Sequence, residues 1–430
     1  MNMFASAGLI LGVMVAVYLL TKLVTPSTEL SMLAAAIAGA LAGGYWIPSR
    51  HIAEGAITYL DINLIFVTAT FFMAVLKESG GVAFAVRAIL HRFHSNRPLL
   101  LVLLAILLLI PGAFTGAGSV TVLITGGMVA TVLNYMGVSR QKTAAIVFII
   151  AGMSAAAPPV SLWAMLTAAG VNMPYVGFFL PLLLPCVIVS LITVFLLGWR
   201  GTKPDVVKAF EELPEPPARM NWYKVLLPFV ILLTLMFMGR RWPHSTPIVG
   251  LPLMFVCAAA ASYLMSPIRL DLLKISRETV EQLLPLVATL TCAGILVQIM
   301  TLTGVRGLLA VTFVTLPVVA VLATLFIFLP VSEAILMYAA APVLGVPLVL
   351  LFNTIGLNPI IALAGMSVIW PLGDALPPTA IIGRLTVDIV GYHDSYAGFL
   401  KSCWIPALAA ISLGTLMVVF SKKLAFLTGL

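Results

Sequence analysis

The fold of this chain is decided by two short stretches of sequence, residues 155–161 (AAAPPVS) and residues 374–380 (DALPPTA). Each stretch places two consecutive prolines inside an apolar region. Proline lacks an amide hydrogen and disfavours the helical conformation in the residue before it, so a helix that enters either stretch has to break there. Lipid cannot hydrogen-bond a broken backbone, and such breaks must therefore be buried in protein or line a watery cavity.

The composition places both breaks in a membrane. Hydrophobic residues make up 62% of the 430-residue chain and charged residues only 9%, whereas soluble globular chains have about 25% charged residues. A cytosolic enzyme, a nucleic-acid-binding protein and a disordered protein are thereby excluded, because only a lipid bilayer can solvate so much apolar surface. At about 20 residues per spanning helix, the apolar residues suffice for about eleven crossings. We predict an all-α polytopic membrane protein.

The two proline pairs belong to an internal repeat. Each pair is followed by the same Tyr-x-Gly-Phe-x6-Pro pattern, which begins at Tyr175 in one copy and at Tyr396 in the other. The separation of the two tyrosines is nearly the same as that of the two proline pairs, and both are close to half the chain. We predict two homologous halves, residues 1–198 and 225–430, on either side of a polar linker at 199–224. Paired halves with interrupted helices at corresponding places are typical of transporters, and they locate the binding site.

A second kind of interruption precedes each proline pair. Residues 111–121 (PGAFTGAGSVT) combine three glycines with three hydroxyl residues, which indicates a re-entrant hairpin that turns near Gly116 to Ser119. Glycine tolerates a tight turn, and carbonyl and hydroxyl oxygens can coordinate a cation. Close packing of helices through small residues is the alternative.

The expected positions of these elements follow from the repeat. The first half is expected to have its hairpin near 112–133 and its broken helix near 143–169. In the second half we expect the hairpin near 329–352 and the broken helix near 359–390. A break frees backbone carbonyls and exposes the N-terminus of the following half-helix, which together suit a cation beside an anion. A simple proline kink is the alternative at each break.

Charged side chains inside apolar runs are costly, so each is a candidate functional residue. Glu333, which follows Ser332, is predicted to serve a cation site or a proton relay, or else to lie at the solvated base of a hairpin. Arg384 follows the second proline pair by six residues. Its guanidinium can hold a substrate carboxylate through two parallel hydrogen bonds, or it can extend to the membrane surface.

The candidate site residues form two groups. The substrate-binding candidates are four hydroxyl residues and one arginine: Ser119, Thr121, Ser161, Thr379 and Arg384. The cation-binding candidates lie at the hairpins and breaks: Gly116, Gly118, Ser119, Ala157, Pro158, Ser332, Glu333, Asp374 and Pro377. No catalytic residue is predicted, because the sequence contains no zincin, nucleophile-elbow or Walker motif. A polytopic membrane enzyme would also need a cluster of His, Cys or acidic residues that the sparse intramembrane charges do not offer.

Taken in order, these motifs resemble the large membrane subunit, of the DctM type, of tripartite ATP-independent periplasmic (TRAP) transporters. The resemblance extends over residues 60–406 and includes the KESG sequence at 77–80. It implies inverted repeats and an elevator motion of a transport domain against a scaffold. It also implies Na+-driven uptake of a small organic acid across a bacterial cytoplasmic (inner) membrane. The implied partners are a periplasmic substrate-binding protein and a small four-helix membrane subunit.

Carried over position by position, the resemblance puts the second hairpin at 330–334 and the first hairpin tip at 116–121. The chain departs from the family at three places: it has AGS at 117–119 where consecutive serines are usual, Leu376 where threonine is favoured, and TA at 379–380 in place of Val-Gly. The number and identity of the coupling ions therefore stay open. A stand-alone Na+- or H+-coupled carboxylate symporter of the same ion transporter superfamily is the alternative.

Overall fold

The computed structural model describes residues 3–201, 205–242 and 249–429, so residues 202–204 of the predicted linker lie outside the described part of the chain. Within these ranges the protein is helical and contains no strand, which confirms an all-α fold. The same ranges contain nine helical spans that are long and apolar enough to cross a membrane. The protein is therefore a polytopic α-helical membrane protein. The spans are fewer than expected because hairpins and broken helices divide apolar residues among shorter pieces.

The first series of helices comprises α1 to α11. Their bounds are α1 Met3–Val24, α2 Thr28–Ala42, α3 Ser49–Ile57, α4 Leu60–Glu78, α5 Gly81–Phe93, α6 Arg97–Thr115, α7 Gly118–Thr121, α8 Gly127–Tyr135, α9 Arg140–Ala156, α10 Leu162–Gly170 and α11 Phe179–Gly198. A π-helical turn, Val122–Gly126, connects α7 to α8. A short helix, α12 (Val206–Glu212), lies in the polar linker.

The second series comprises α13 to α21. Their bounds are α13 Trp222–Arg241, α14 Leu251–Met265, α15 Leu272–Leu302, α16 Val305–Thr315, α17 Val318–Leu336, α18 Val346–Thr354, α19 Pro359–Ile369, α20 Ile381–Val390 and α21 Tyr396–Val419. A 3-10 turn at Met337–Ala339 and a π-helical turn at Ala341–Gly345 separate α17 from α18. A further 3-10 segment, Trp370–Ala375, extends α19.

The two series repeat one order of elements. Helices α6 and α17 have the same length and are separated along the chain by the same interval as Tyr175 and Tyr396. The two π-helical turns are separated by the same interval as the two proline pairs. A residue with positive φ turns each hairpin, Gly116 at 69° and Met337 at 54°, and a cis proline pair follows each hairpin. The same chain path is therefore built twice, while the domain boundaries drawn at residues 198 and 225 stay a prediction.

The hairpins are longer than the sequence predicts. The first runs from the start of α6 to the end of α8, residues 97–135, although its turn lies at Gly116 as expected. The second runs over residues 318–354, and its turn lies at Met337 rather than at 330–334. Helix α17 continues through Pro330, because the loss of one amide donor is tolerated in a membrane helix where neighbouring groups replace the lost hydrogen bond. The broken helices lie at 140–170 and 359–390.

The turn of the first hairpin packs directly against α4. A Cβ placed on Gly116 would lie 2.5 Å from Cε1 of Phe66 and 3.1 Å from Cγ1 of Val160. Gly116 also has the left-handed backbone conformation that glycine adopts without strain. Two independent constraints, one of backbone and one of space, thus require glycine here.

We expect the substitution Gly116→Ala to destabilise the protein by more than the backbone strain of about 1–2 kcal/mol that a left-handed alanine carries. The control is Gly356→Ala, since Gly356 has a φ of 76° but a methyl group placed on it would meet no atom of a more distant residue within 4 Å. Thermal unfolding of the two purified variants in detergent measures the difference. Equal losses of stability would show that the contact with Phe66 contributes nothing.

Candidate functional site

The hairpins and broken helices of the two halves contact each other. Helix α10, the second piece of the first broken helix, packs against the π-helical turn of the second hairpin, and α20 packs against the π-helical turn of the first. Thr167 Oγ1 on α10 donates a hydrogen bond to the Ala341 carbonyl oxygen at 3.1 Å. On the opposite side, Gly118 of the first hairpin lies beside Ile382 of α20. The candidate residues of one half therefore lie beside elements of the other half.

A closed chain of hydrogen bonds joins the first hairpin to α9. The Gly112 amide donates to Thr121 Oγ1 at 2.8 Å, and Thr121 Oγ1 lies 2.8 Å from Ser154 Oγ. Ser154 Oγ in turn donates to the Ala151 carbonyl oxygen at 2.7 Å. Because a carbonyl oxygen can only accept, the Ser154 hydrogen is committed to Ala151, and the Thr121 hydrogen is left for Ser154. The Thr121 hydroxyl thus holds the hairpin against α9, and its role in substrate binding stays a prediction.

The remaining first-half candidates lie at the break and at the hairpin turn. The Val160 amide, just after the proline pair, donates to the Ala113 carbonyl oxygen of the hairpin at 3.0 Å. Ser161 is fully buried, and its Oγ has no hydrogen-bond partner among the described residues. Ser119 lies partly exposed on α7, and Ala157 ends α9 by donating its amide to the Met153 carbonyl oxygen. Ser161 is therefore the buried hydroxyl of this group that retains bonding capacity for a ligand.

The second half contains two buried carboxyl groups at the contact between its hairpin and its broken helix. Glu333 is 0% exposed and Asp374 is 4% exposed. Trp163 Nε1 of the first half donates to Glu333 Oε2 at 2.9 Å. Glu333 Oε1 and Asp374 Oδ2 have no hydrogen-bond partner among the described residues, and Gly373, which precedes Asp374, packs against Cβ of Glu333. The structure thus brings together two acidic residues that are far apart in the sequence, and we call them the acid pair.

Within the described residues, no cationic side chain forms an ion pair with the acid pair. The four ion pairs found there join residues three or four positions apart on exposed helix surfaces. Removing an ionised carboxylate from water costs several kcal/mol per ion unless a partner compensates it. Carboxylate oxygens are the ligands that hard cations prefer. This arrangement can accept a bound cation or a proton.

Hydroxyl groups and an indole fix the elements on either side of the acid pair. Ser332 Oγ donates to the Leu329 carbonyl oxygen at 2.7 Å and accepts from Trp370 Nε1 at 3.3 Å. Thr379 Oγ1, just after the second break, donates to the Ala334 carbonyl oxygen at 3.0 Å. The hydroxyl hydrogens of Ser332 and Thr379 are therefore already used to hold the hairpin and the break, while their oxygens can still accept or coordinate.

Arg384 lies exposed on α20, and none of its atoms forms an ion pair or a side-chain hydrogen bond within the described residues. The residue before it, Gly383, packs against the hydroxyl of Tyr396. Tyr396 donates its hydroxyl hydrogen to the carbonyl oxygen of Ala375, the residue after Asp374, at 2.7 Å. Arg384 thus lies on the helix that follows the second break, whereas Asp374 comes before the break. The exposed proline Pro377 lies between them in the chain.

Two functional candidates were not predicted from the sequence. Trp163 and Trp370 are both fully buried, and each donates its indole hydrogen to a residue of the second hairpin. Tryptophans in membrane proteins are usually found at the interface, where the indole can reach water. The sequence feature that marks these two tryptophans as candidates is that each lies inside an apolar run, close to a proline break.

The described fold can be compared with known proteins. No family model matches the chain, and no curated protein is similar to it in sequence. Among solved structures it is similar to the YdaH transporter of Alcanivorax borkumensis, with 12% identity, a TM-score of 0.61, and coverage of 88% of this chain and 90% of that one. It is also similar to Neisseria gonorrhoeae MtrF, described with a class of antimetabolite efflux pumps, with 12% identity, a TM-score of 0.60, and coverage of 86% and 83%.

At this level of identity the likeness shows the fold alone. The protein has a membrane transporter fold, as the paired broken helices predicted. The resemblance to the DctM-type TRAP subunit finds no support in these comparisons. Transport, rather than catalysis of a reaction, is the activity common to the two similar structures.

We expect Thr121→Val to destabilise the protein by about 1–3 kcal/mol, because the buried Gly112 amide would lose its acceptor. The control is Thr68→Val on α4, since Thr68 lies partly exposed and its hydroxyl bonds only within its own helix. Thermal unfolding in detergent measures both variants. A loss for Thr121→Val no greater than for Thr68→Val would contradict the proposed hydrogen-bond chain.

Proposed function

We propose that this protein is a secondary active transporter that uses a Na+ gradient to take up a small organic acid across a bacterial cytoplasmic membrane. One observation carries the proposal. The hairpins and broken helices of both halves contact each other, and in the second half buried carboxyl oxygens lack partners among the described residues, while Arg384, on the adjoining helix α20, forms no ion pair there. Such a place can bind a cation and a carboxylate together.

The chemistry of the available oxygens fits Na+. Glu333 Oε1, Asp374 Oδ2 and Ser161 Oγ are buried and unpartnered among the described residues. Carboxylate, carbonyl and hydroxyl oxygens are the ligands of hard cations, which proteins bind mainly through oxygen. Na+ here is cargo that crosses with the substrate. A resident cofactor has no part in the proposal.

Arg384 fits the carboxylate of the substrate. A guanidinium forms two parallel hydrogen bonds with a carboxylate, and these charge-assisted bonds are about twice as strong as neutral ones. Arg384 also lies near the start of α20, and the N-terminus of a helix favours negative charge. We assign further contacts with the substrate to the hydroxyls of Ser119, in the first hairpin, and Thr379, at the second break, which are both only partly buried.

Coupling follows from charge. When the acid pair lacks its cation, the uncompensated carboxylates disfavour movement of the site through an apolar environment. A bound Na+ neutralises part of this charge, so the loaded site moves more readily. We assign this movement to an elevator motion, in which the hairpins and broken helices move together against the other helices. The two halves are proposed to be inverted relative to each other.

The proposed partners are a periplasmic substrate-binding protein and a small four-helix membrane subunit. The alternative is a stand-alone carboxylate symporter coupled to Na+ or H+. Neighbouring genes that encode the two partners would favour the first hypothesis. The direction of transport needs its own test, since MtrF, one of the similar structures, is described with efflux pumps.

The decisive experiment is uptake of radiolabelled organic acids by proteoliposomes that contain the purified protein. Accumulation is expected under an inward Na+ gradient and not under an equal choline gradient. A panel of sugar acids, keto acids and dicarboxylates would identify the substrate class, with and without a candidate binding protein. Uptake that ignores the Na+ gradient would refute the coupling.

In the same assay, Arg384→Gln is expected to raise the KM for the acid at least about tenfold, because a charge-assisted pair contributes about 1.5–3 kcal/mol. Arg384→Lys should retain part of the affinity, because it keeps the charge but loses the paired geometry. The matched control is Lys401→Gln, which removes an exposed cation from α21. Unchanged KM in Arg384→Gln would exclude this arginine from the site.

A further inference from the structure

The repeat allows the contact between hairpin and broken helix to be compared position by position in the two halves. Helices α6 and α17, the first hairpin arms, correspond residue by residue from end to end, and so do the π-helical turns and the proline pairs. Three residues of the first half form the closed hydrogen-bond chain: Gly112, Thr121 and Ser154. Their equivalents in the second half are Glu333, Ala340 and Gly373.

In both halves the hairpin and the broken helix approach each other at a glycine. The glycine belongs to the hairpin in the first half and to the broken helix in the second. In the first half it is Gly112 of the hairpin, where an added Cβ would lie 2.7 Å from Cβ of Ser154. In the second half it is Gly373 of the broken helix, where an added Cβ would lie 2.6 Å from Cβ of Glu333. The same space is filled by serine in one half and by glutamate in the other.

The serine and the glutamate leave the two contacts in different hydrogen-bonding states. In the first half, the Thr121 and Ser154 hydroxyls satisfy the Gly112 amide and each other, and the chain ends on a backbone carbonyl. In the second half, Ala340 and Gly373 have no side-chain hydroxyl that could close the same chain. Glu333 keeps one unpartnered oxygen there, beside the unpartnered Asp374 Oδ2, within the described residues.

The surroundings of the acid pair suit a cation. Trp163 donates one hydrogen bond to Glu333, and the ring of Tyr338 lies 5.8 Å from the ring of Trp163. These three side chains and that of Asp374 are at most 6% exposed. If both buried carboxyls are ionised, the single indole hydrogen bond to Glu333 leaves their negative charge uncompensated. The unpartnered oxygens of two fully packed side chains point to a ligand rather than to a solvated surface.

We infer that the two halves are not equivalent in ion binding: Glu333 and Asp374 bind a monovalent alkali cation in the second half, whereas the equivalent position in the first half is closed by Thr121 and Ser154 and binds none. This inference rests on the proposed Na+ coupling and deepens it, since it assigns the binding site of the coupling ion to the second half. Ser161 lies outside the compared position, and its role is separate.

The test uses the purified full-length protein in detergent without any organic acid. Its thermal unfolding is followed in increasing NaCl, with choline chloride added to hold the ionic strength constant. The wild-type unfolding temperature is expected to rise saturably with Na+, because a ligand that binds only the folded state stabilises it. Glu333→Gln and Asp374→Asn are expected to lose this saturable rise.

Folding of the variants does not limit the test. In choline chloride alone, Glu333→Gln is expected to unfold at or above the wild-type temperature, because an amide replaces an uncompensated buried charge. Asp374→Asn gives a second, independent measurement. The matched control is Ser154→Ala, which should unfold at a lower temperature in both salts yet keep the Na+-dependent rise with an unchanged midpoint concentration.

Three results would overturn the inference. The first is a full Na+-dependent rise in Glu333→Gln and Asp374→Asn. The second is loss of the rise in Ser154→Ala, which would place ion binding in the first half. The third is a wild-type unfolding temperature that follows pH and ignores Na+, which would assign the acid pair to protons.

The outcome is separable from the proposed function. If the uptake assay shows no Na+-driven transport while the unfolding temperature still rises with Na+ through Glu333, the function fails and the assignment of the ion site stands. If Na+-driven uptake persists in Glu333→Gln with unchanged Na+ dependence, the ion site fails and the function stands.

Discussion

A broken backbone inside a membrane has to find its hydrogen bonds within the protein, and the rest of this structure depends on that requirement. The first break is held by the bond from the Val160 amide to the Ala113 carbonyl oxygen, and the second by the bond from the Thr379 hydroxyl to the Ala334 carbonyl oxygen. In both cases the partner belongs to the hairpin of the same half. Each hairpin thus holds the break of its own half, through a backbone amide in the first half and through a side-chain hydroxyl in the second, which gives a physical reason for the two interruptions to occur together.

With each break held against its hairpin in this way, the side chains at the contact can differ between the halves. Both halves bring hairpin and broken helix together at a glycine, which allows close approach. The first half fills the remaining space with small hydroxyl residues, and their hydrogen bonds make that contact rigid and neutral. The second fills it with a carboxyl group, which can make the contact charged. A duplicated backbone can thus support one contact that is closed by hydrogen bonds and another that leaves carboxyl oxygens without partners among the described residues.

The sequence was informative where a residue acts on its own backbone and uninformative where it acts through a distant partner. The proline pairs, the repeat spacing and the turn at Gly116 could all be predicted, because proline and glycine restrict or permit local conformations. The turn at Met337 could not, since methionine carries no signal for a positive φ, and Pro330 upstream drew the prediction to the wrong place. The bonds from Thr121 to Ser154 and from Trp163 to Glu333 join residues that are distant in sequence. Such pairs depend on how the helices pack.

The bond from Trp163 to Glu333 also connects the two halves at the acid pair, since the indole lies on α10 and the carboxyl on α17. In the proposed mechanism, a cation bound at Glu333 and the indole hydrogen of Trp163 both bring positive charge to the same carboxyl group. The position of α10 relative to the second hairpin is then linked to ion occupancy, because a change in the charge of the carboxyl changes the strength of its hydrogen bond. Thr167 makes a second link from the same helix to the Ala341 carbonyl oxygen, and this neutral bond does not depend on charge. One helix of the first half therefore has a charge-assisted and a neutral attachment to the second half, and in the proposed mechanism the charge-assisted one transmits ion binding at Glu333 to the broken helix of the first half.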